Sequence, residues 1–281
     1  MKTLGYYNGH IDELDRMTVP MLDRACYFGD GVYDVTFSRN HKIYMLEEHV
    51  SRIFKSASQI GIYPDICEME LCELLRSLIG RLDDGEQWVY FQFSRATAYR
   101  AHAFPDNGTP NLWIMMKPAS IKDTYRPLRC ITLEDTRSLH CNIKSLNLLP
   151  NVIATQRTVD AGVDECILHR DGIVTECAHS NVSILKDGVL ITHAADHQIL
   201  AGTGRAHLLA ACHSFGIPVE ERDYTLGELR AADEILLTSA SSLCMRITEL
   251  DGEAIGGADG DTVKRLQDAL LAHFIKETER V

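Results

Sequence analysis

Positive charge is scarce in this chain. Its 281 residues hold 28 Lys plus Arg against 40 Asp plus Glu, a formal net charge of −12, and no basic run interrupts that balance. An acidic chain without a basic patch argues against nucleic acid or an anionic membrane as partner. If its ligand is an anion, the binding site must supply its own local positive charge. Paired cysteines are missing too. The nine cysteines are an odd number, scattered from Cys26 to Cys244 without a Cys-x-x-Cys, which argues against a disulfide framework and fits buried thiols in a reducing compartment. No apolar run approaches the length of a membrane span. The first residues, MKTLGYYNGHIDELD, turn acidic at once, unlike a secretory signal. A cytoplasmic protein is expected.

What is present is ordinary globular material: 45% hydrophobic and 24% charged residues, enough for one large domain or two of usual size. MLEEHVSRIFKSASQIGI places Leu46, Val50, Ile53, Ala57 and Ile60 on one helical stripe, with Gly61 as its stop. EMELCELLRSLIGRL repeats the pattern, and QWVYFQFSRAT and NLWIMMK read as strands. The polar stretch holding Pro118 and Pro127 reads as a linker. The expected organisation is α+β: a smaller N-terminal domain over 1–118, a linker over 119–127 and a larger C-terminal domain over 128–281. In the latter, Asp171-Gly172 and Asp187-Gly188 each stand between apolar runs, the signal of a tight hairpin. GTGRAHLLAACHSFG reads as a helix, DEILLTSAS as a strand, and TVKRLQDALLAHFIKE as a closing amphipathic helix.

Several residue groups carry chemical meaning. CNIKSLNLLPNVIATQ contains a single charged side chain, Lys144, in a segment that reads as buried. A partnerless ammonium is costly to desolvate and is inclined to give up its proton, which would make a nucleophile; a stem packed on apolar surface with its head in water is the plainer alternative. Gly202-Thr203-Gly204 precedes a helix, where free amides and the dipole suit one phosphate, although it is neither a Walker loop nor a dinucleotide fingerprint. The strand end Thr238–Ser241 offers further amides and hydroxyls. Glu176 ends a hairpin strand among small uncharged residues, a place from which it could meet a positive ring nitrogen. Arg95, Arg100 and His102 crowd one loop, and Arg100 and His102, one residue apart, point the same way in an extended segment, a pair suited to a carboxylate. His193 and His197 have helical metal spacing but sit in a predicted loop, so no metal site is expected. A lysine, an acid for a ring nitrogen, a phosphate cradle and a carboxylate clamp together ask for pyridoxal 5'-phosphate.

The segments RACYFGDGVYD, EEHVSRIFKSA, RAHAFP, IKSLNLLPNV, GIVTE…SNV and ILAGTGR resemble, in order, the signatures of the fold-type IV pyridoxal-phosphate enzymes, the class IV aminotransferases. The resemblance covers nearly the whole chain and is nearest to the bacterial D-amino acid (D-alanine) aminotransferases. It implies a two-domain fold whose larger domain is built on an antiparallel pseudo-barrel. It implies Lys144 as the catalytic lysine, bound to the cofactor as a Schiff base and later shuttling the substrate proton. It implies Glu176 on the pyridine nitrogen and Leu200 against the ring. Arg52, Thr203, Gly204, Ala240 and Ser241 would hold the phosphate. Tyr33 would line the substrate pocket, and Arg100 with His102 would hold the substrate carboxylate, reaching over from a partner subunit, so a homodimer is implied. The implied reaction is ping-pong transamination of D-amino acids with a 2-oxo acid such as 2-oxoglutarate or pyruvate.

Arg100-Ala101-His102 separates this reading from its sisters, aminodeoxychorismate lyase and branched-chain L-amino acid aminotransferase; a non-catalytic phosphate-ligand binding protein is the remote alternative. Three departures bear on substrate range. Cys177-Ala178-His179 stands where relatives carry glycine and serines, Ala240 lacks a hydroxyl, and Phe37 is bulkier and less polar than expected.

Overall fold

The computed structural model of the protein describes residues 1–106 and 108–280, and its strands fall into two sheets, one in each of two units. The first unit comprises Met1–Ile121, the short piece Ile143–Asn147 and the chain end from Ile275. It contains β1 (Leu4–Tyr7), β2 (His10–Asp12), α1 (Ala25–Phe28), β3 (Gly31–Arg39), β4 (Lys42–Ile43), α2 (Leu46–Gln59), α3 (Glu68–Ile79), β5 (Glu86–Ser94) and β6 (Asn111–Pro118). The six strands pair antiparallel in the order β2-β1-β6-β5-β3-β4. Alternation sends Val32, Val89, Phe91 and Phe93 to one face, where they pack with Leu46, Val50, Ile53 and Ala57 of α2 and Leu71 and Leu75 of α3. Asp34 lies on that same core face and is fully buried.

Along most of its length β3 is paired on one side only, by β5. Its first residues therefore present a free edge, and the lysine segment pairs with it. Val32 bridges Ser145, the Tyr33 amide donates to the Lys144 carbonyl at 3.0 Å, and the Leu146 amide donates to the Gly31 carbonyl at 3.0 Å. Gly31 makes this approach possible, since a Cβ there would fall 2.3 Å from the Phe93 carbonyl oxygen and 2.8 Å from Leu146. The expected burial of this segment is not found. Residues 141–146 are half-buried, because an added strip on a sheet edge is covered on one side only.

The second unit comprises Lys122–Asn142 and Leu148–Phe274. Its elements are β7 (Leu128–Glu134), α4 (Leu149–Asp160), β8 (Glu165–Arg170), β9 (Ile173–Cys177), β10 (Asn181–Lys186), β11 (Val189–Thr192), α5 (Thr203–Ser214), β12 (Val219–Glu221), α6 (Leu226–Arg230), β13 (Glu234–Ser239), β14 (Leu243–Leu250), β15 (Glu253–Ala254) and α7 (Gly260–Glu277), whose last residues belong to the first unit. The strands form one curled sheet, a half-barrel ordered β12-β11-β10-β13-β14-β7-β8-β9, with β15 on β14. It is mixed rather than purely antiparallel: β7 runs parallel to both β14 and β8, and β11 to β12. The helical crossover α4 between β7 and β8 is what a parallel pair requires. Both Asp-Gly signals become two-residue hairpin turns with positive φ at each residue, +49° and +80° at 171–172, +50° and +76° at 187–188.

The two units do not divide the chain into consecutive halves. The first crossing lies between Ile121 and Lys122, inside the stretch 119–127, but the lysine strip and the chain end return to the first unit. β3 has edge positions to fill, and backbone groups left unpaired there would be costly. Helix α4 buries only Ala154 and Thr158, and leaves Leu149, Val152 and Val159 each more than 60% exposed. No described helix is long and apolar enough to cross a membrane.

Candidate active site

In the first unit, Lys144, Tyr33 and Arg52 are gathered by β3 and α2. The Lys144 amide donates to Ser56 Oγ at 3.2 Å, and its Nζ sits 4.4 Å from the centre of the Tyr33 ring. His49, Arg52 and Ser56 fall on one helical face, three and four residues apart. Arg52 donates from Nε to Asp34 Oδ2 at 2.8 Å and from Nη2 to Asp34 Oδ1 at 2.7 Å, a two-pronged ion pair on a carboxylate with no solvent exposure. Asp34 Oδ1 also accepts from the Val35 amide and meets His49 Nδ1, each at 2.7 Å. Burial alone would raise the Asp34 carboxyl; Arg52 and His49 outweigh it and hold the group well below the usual carboxylate range. A carboxylate only accepts, so His49 Nδ1 carries the hydrogen and donates it. Burial keeps His49 neutral, against the pull of Asp34, by lowering its pKa.

In the second unit, Glu176 is held from both of its oxygens. Oε1 accepts from Arg137 Nη1. Oε2 accepts from Asn181 Nδ2 at 2.8 Å and from the Leu200 amide at 3.1 Å, while Asn181 Nδ2 also reaches the Leu200 carbonyl at 2.8 Å. Glu176 and Leu200, read separately in the sequence, are thus one hydrogen-bonded cluster. Arg137 is fixed in turn by Asp135, which accepts from its Nε at 2.9 Å and its Nη2 at 2.8 Å, and also from Arg170 and Thr175. Burial would raise Asp135, but its bonds from Arg137 bring it down to about 2. Burial also works against Arg137, which Asp135 and Glu176 nonetheless keep firmly charged. Two carboxyl groups share one buried guanidinium.

The other residues expected to hold the phosphate lie within this unit. Gly204, in the first turn of α5, packs so closely on the end of β13 that a Cβ would stand 3.3 Å from the Ser239 backbone nitrogen and oxygen. Gly204 therefore lies against Ser239, the residue before Ala240 and Ser241. Ser239 Oγ and Ser241 Oγ are 3.3 Å apart, and the Ser242 amide donates to Ser239 Oγ at 3.1 Å. Amides at a helix start and hydroxyls at a strand end are groups chemically suited to a small dianion.

Arg100 and His102 occupy the first unit at the ring of Phe28 in α1. The Arg100 guanidinium lies 4.9 Å from the ring centre and the His102 ring 5.2 Å from it, and both residues are exposed. Arg95 has a different task. It is buried, ion-paired to Asp30 through Nε, and donates to the carbonyls of Ile60 and Gly61. Among the described residues no group of three or more His, Cys, Asp or Glu could hold a metal. His179 pairs with Glu165 at 3.0 Å and is half exposed.

Sequence reasoning missed Asp34, His49, Asp135, Arg137 and Asn181. A signal existed for Asp34, because alternation places it with Val32 on the core face, where a charge needs a partner. For Arg137 there was none, since it meets Glu176 across 39 residues.

Compared with known proteins, residues 31–250 match the family described as amino-transferase class IV. The chain is 38% identical to a D-alanine aminotransferase of Bacillus licheniformis, covering all of this chain and 99% of the relative. It is 39% identical to a D-alanine aminotransferase of Listeria monocytogenes, with 97% and 95% of the two chains covered. Among solved structures, the branched-chain amino acid aminotransferase from Escherichia coli superposes with a TM-score of 0.89 at 21% identity, over 99% of this chain and 96% of that one.

Proposed function

The chain belongs to the class IV aminotransferases, and from that premise we propose that it transfers the amino group of D-amino acids, D-alanine among them, to a 2-oxo acid such as 2-oxoglutarate or pyruvate, with pyridoxal 5'-phosphate as cofactor. The observation that carries the reading is the Arg100–His102 pair: two cationic or polar heads bracketing one ring on an exposed loop of an acidic protein, suited to a small carboxylate.

The residues present fit the cofactor. The close seat of Gly204 on the Ser239 backbone gives its phosphate a cradle, and Glu176 stands fixed as a carboxylate among Arg137, Asn181 and the Leu200 amide. When bound, pyridoxal phosphate supplies an electron sink that lets a substrate α-proton leave. The rest is done by the chain. Lys144 Nζ binds the cofactor, then takes the α-proton and returns it. Glu176, held by Arg137, Asn181 and the Leu200 amide, accepts a hydrogen bond from the ring N–H. Arg52, aimed by Asp34, holds the phosphate together with Thr203, Gly204, Ala240 and Ser241. Leu200 packs on the ring, and Tyr33 bounds the space beside Lys144. Arg100 and His102 hold the substrate carboxylate of the other subunit, so the working form is a homodimer. Nine free cysteines fit a cytoplasmic setting.

The test adds D-alanine and, separately, L-alanine to the yellow holoenzyme without any oxo acid. D-alanine alone should bleach the yellow band, and Lys144→Ala should never be yellow. Bleaching by L-alanine, or by neither, overturns the D-amino acid reading.

A further inference from the structure

The face of the first sheet that turns away from α2 and α3 is aromatic where it borders Lys144. Register puts Tyr33 opposite Gln92, Val35 opposite Tyr90 and Phe37 opposite Trp88, so these six side chains share one face. Tyr33 stacks on Tyr90 with centroids 5.5 Å apart and planes 20° apart, and Tyr90 on Trp88 at 5.3 Å and 22°. The row starts under the Lys144 amine, 4.4 Å from the Tyr33 centroid, and ends at Lys117, 5.2 Å from Trp88. On the core face of the same strand, Phe91 and Phe93 are 0% and 1% exposed; Tyr33, Tyr90 and Trp88 all keep partial exposure. The Tyr90 hydroxyl donates to Gln92 Oε1 at 2.6 Å, which satisfies its polar end and fixes the ring plane. Three near-parallel rings with free surface beside a reactive amine have a geometry that a further ring can continue.

We propose that Tyr33, Tyr90 and Trp88, backed by the buried Phe37 across from Trp88, form the substrate side-chain subsite, and that it selects amino donors with aromatic side chains. This rests on the reading of Lys144 as the amine that takes the α-proton. A substrate with its α-carbon at Lys144 Nζ sends its β-carbon along the Tyr33 ring. A methyl group ends there, whereas a benzyl, hydroxybenzyl or indolyl group runs on over Tyr90 towards Trp88. An acidic side chain meets no cation in the row before Lys117. Phe37, which the sequence marks as unexpectedly apolar, closes the same wall and removes the polar alternative at that position.

The experiment compares kcat/KM for D-phenylalanine and D-alanine with a fixed oxo acid, in the holoenzyme and in Tyr90→Leu and Trp88→Leu. The wild-type ratio should favour D-phenylalanine, and at least one variant should lower the ratio about tenfold, the scale of one lost aromatic pair. A binding readout stands beside it. The protein has two tryptophans, Trp88 and Trp113. The unreactive 3-phenylpropanoate should change the emission saturably in wild type and not in Trp88→Leu, and propanoate should change neither. If D-alanine is turned over and D-phenylalanine is not, or if both variants keep the wild-type ratio, or if 3-phenylpropanoate leaves the emission unchanged, the subsite is overturned and the D-amino acid reading stands. If neither D-amino acid reacts, both fall together.

Discussion

Replacing Asp34 by Asn tests whether the buried pair under Arg52 holds the first unit together. Asp34 accepts four hydrogen bonds: two from Arg52, one from His49 and one from the Val35 amide. Asparagine keeps one oxygen and gains an amino group. Whichever way it turns, NH2 faces a donor of Arg52 or donors of His49 and Val35. The guanidinium, 14% exposed, then keeps its charge but loses the two-pronged pair with Asp34. Breaking a buried pair from one side costs about 3–5 kcal/mol; the partial exposure of Arg52 places the expected loss near ~3 kcal/mol. Urea unfolding of the apoprotein measures it without interference from bound cofactor. The double variant Asp34→Asn/Arg52→Gln should lose less than the sum of its single variants, because each single change already breaks the shared ion pair. A loss below about 1 kcal/mol for Asp34→Asn, with additive singles, would refute the account and leave the pair as two adequately solvated groups.

Two further outcomes follow from the same geometry. His49 has its pKa lowered, so below the ordinary histidine value of about 6.5 the unfolded chain takes up a proton that the folded chain refuses, and stability falls with pH. The unfolding free-energy gap between wild type and His49→Gln should narrow as the pH falls from 7 to 5.5, and a constant gap would mean that His49 titrates alike in both states. The proposed dimeric site predicts complementation: Lys144→Ala and Arg100→Ala should each be inactive alone, but mixed after mild dissociation they should regain activity, because one of the two sites in a heterodimer has both residues intact. No recovery from mixed subunits, with exchange verified by differently tagged chains, would confine the site to a single chain.

How far the sequence goes depends on the range of the interaction that fixes each feature. Helices α2, α3, α5 and α7 and the two Asp-Gly hairpins are legible because periodicity and turn chemistry act over a few residues. The return of the lysine strip to the first unit is not, since it depends on an unfilled edge of β3 more than a hundred positions away. Lys144 teaches the sharper point. Its isolation from other charges suggested a buried ammonium, yet the strip is half-buried and the Nζ rests on a tyrosine ring. Its proposed role therefore rests on the motif and not on desolvation. The groups that position the candidate site share that limit. In one unit a buried Asp34 steadies Arg52, and in the other a buried Arg137 steadies Glu176, the same pairing with its roles exchanged. Local sequence names the member that faces the ligand, because ligand chemistry constrains its neighbours. Its partner is chosen by folding alone, 18 residues away in one case and 39 in the other, and only the requirement that a buried charge be paired says that such a partner must exist.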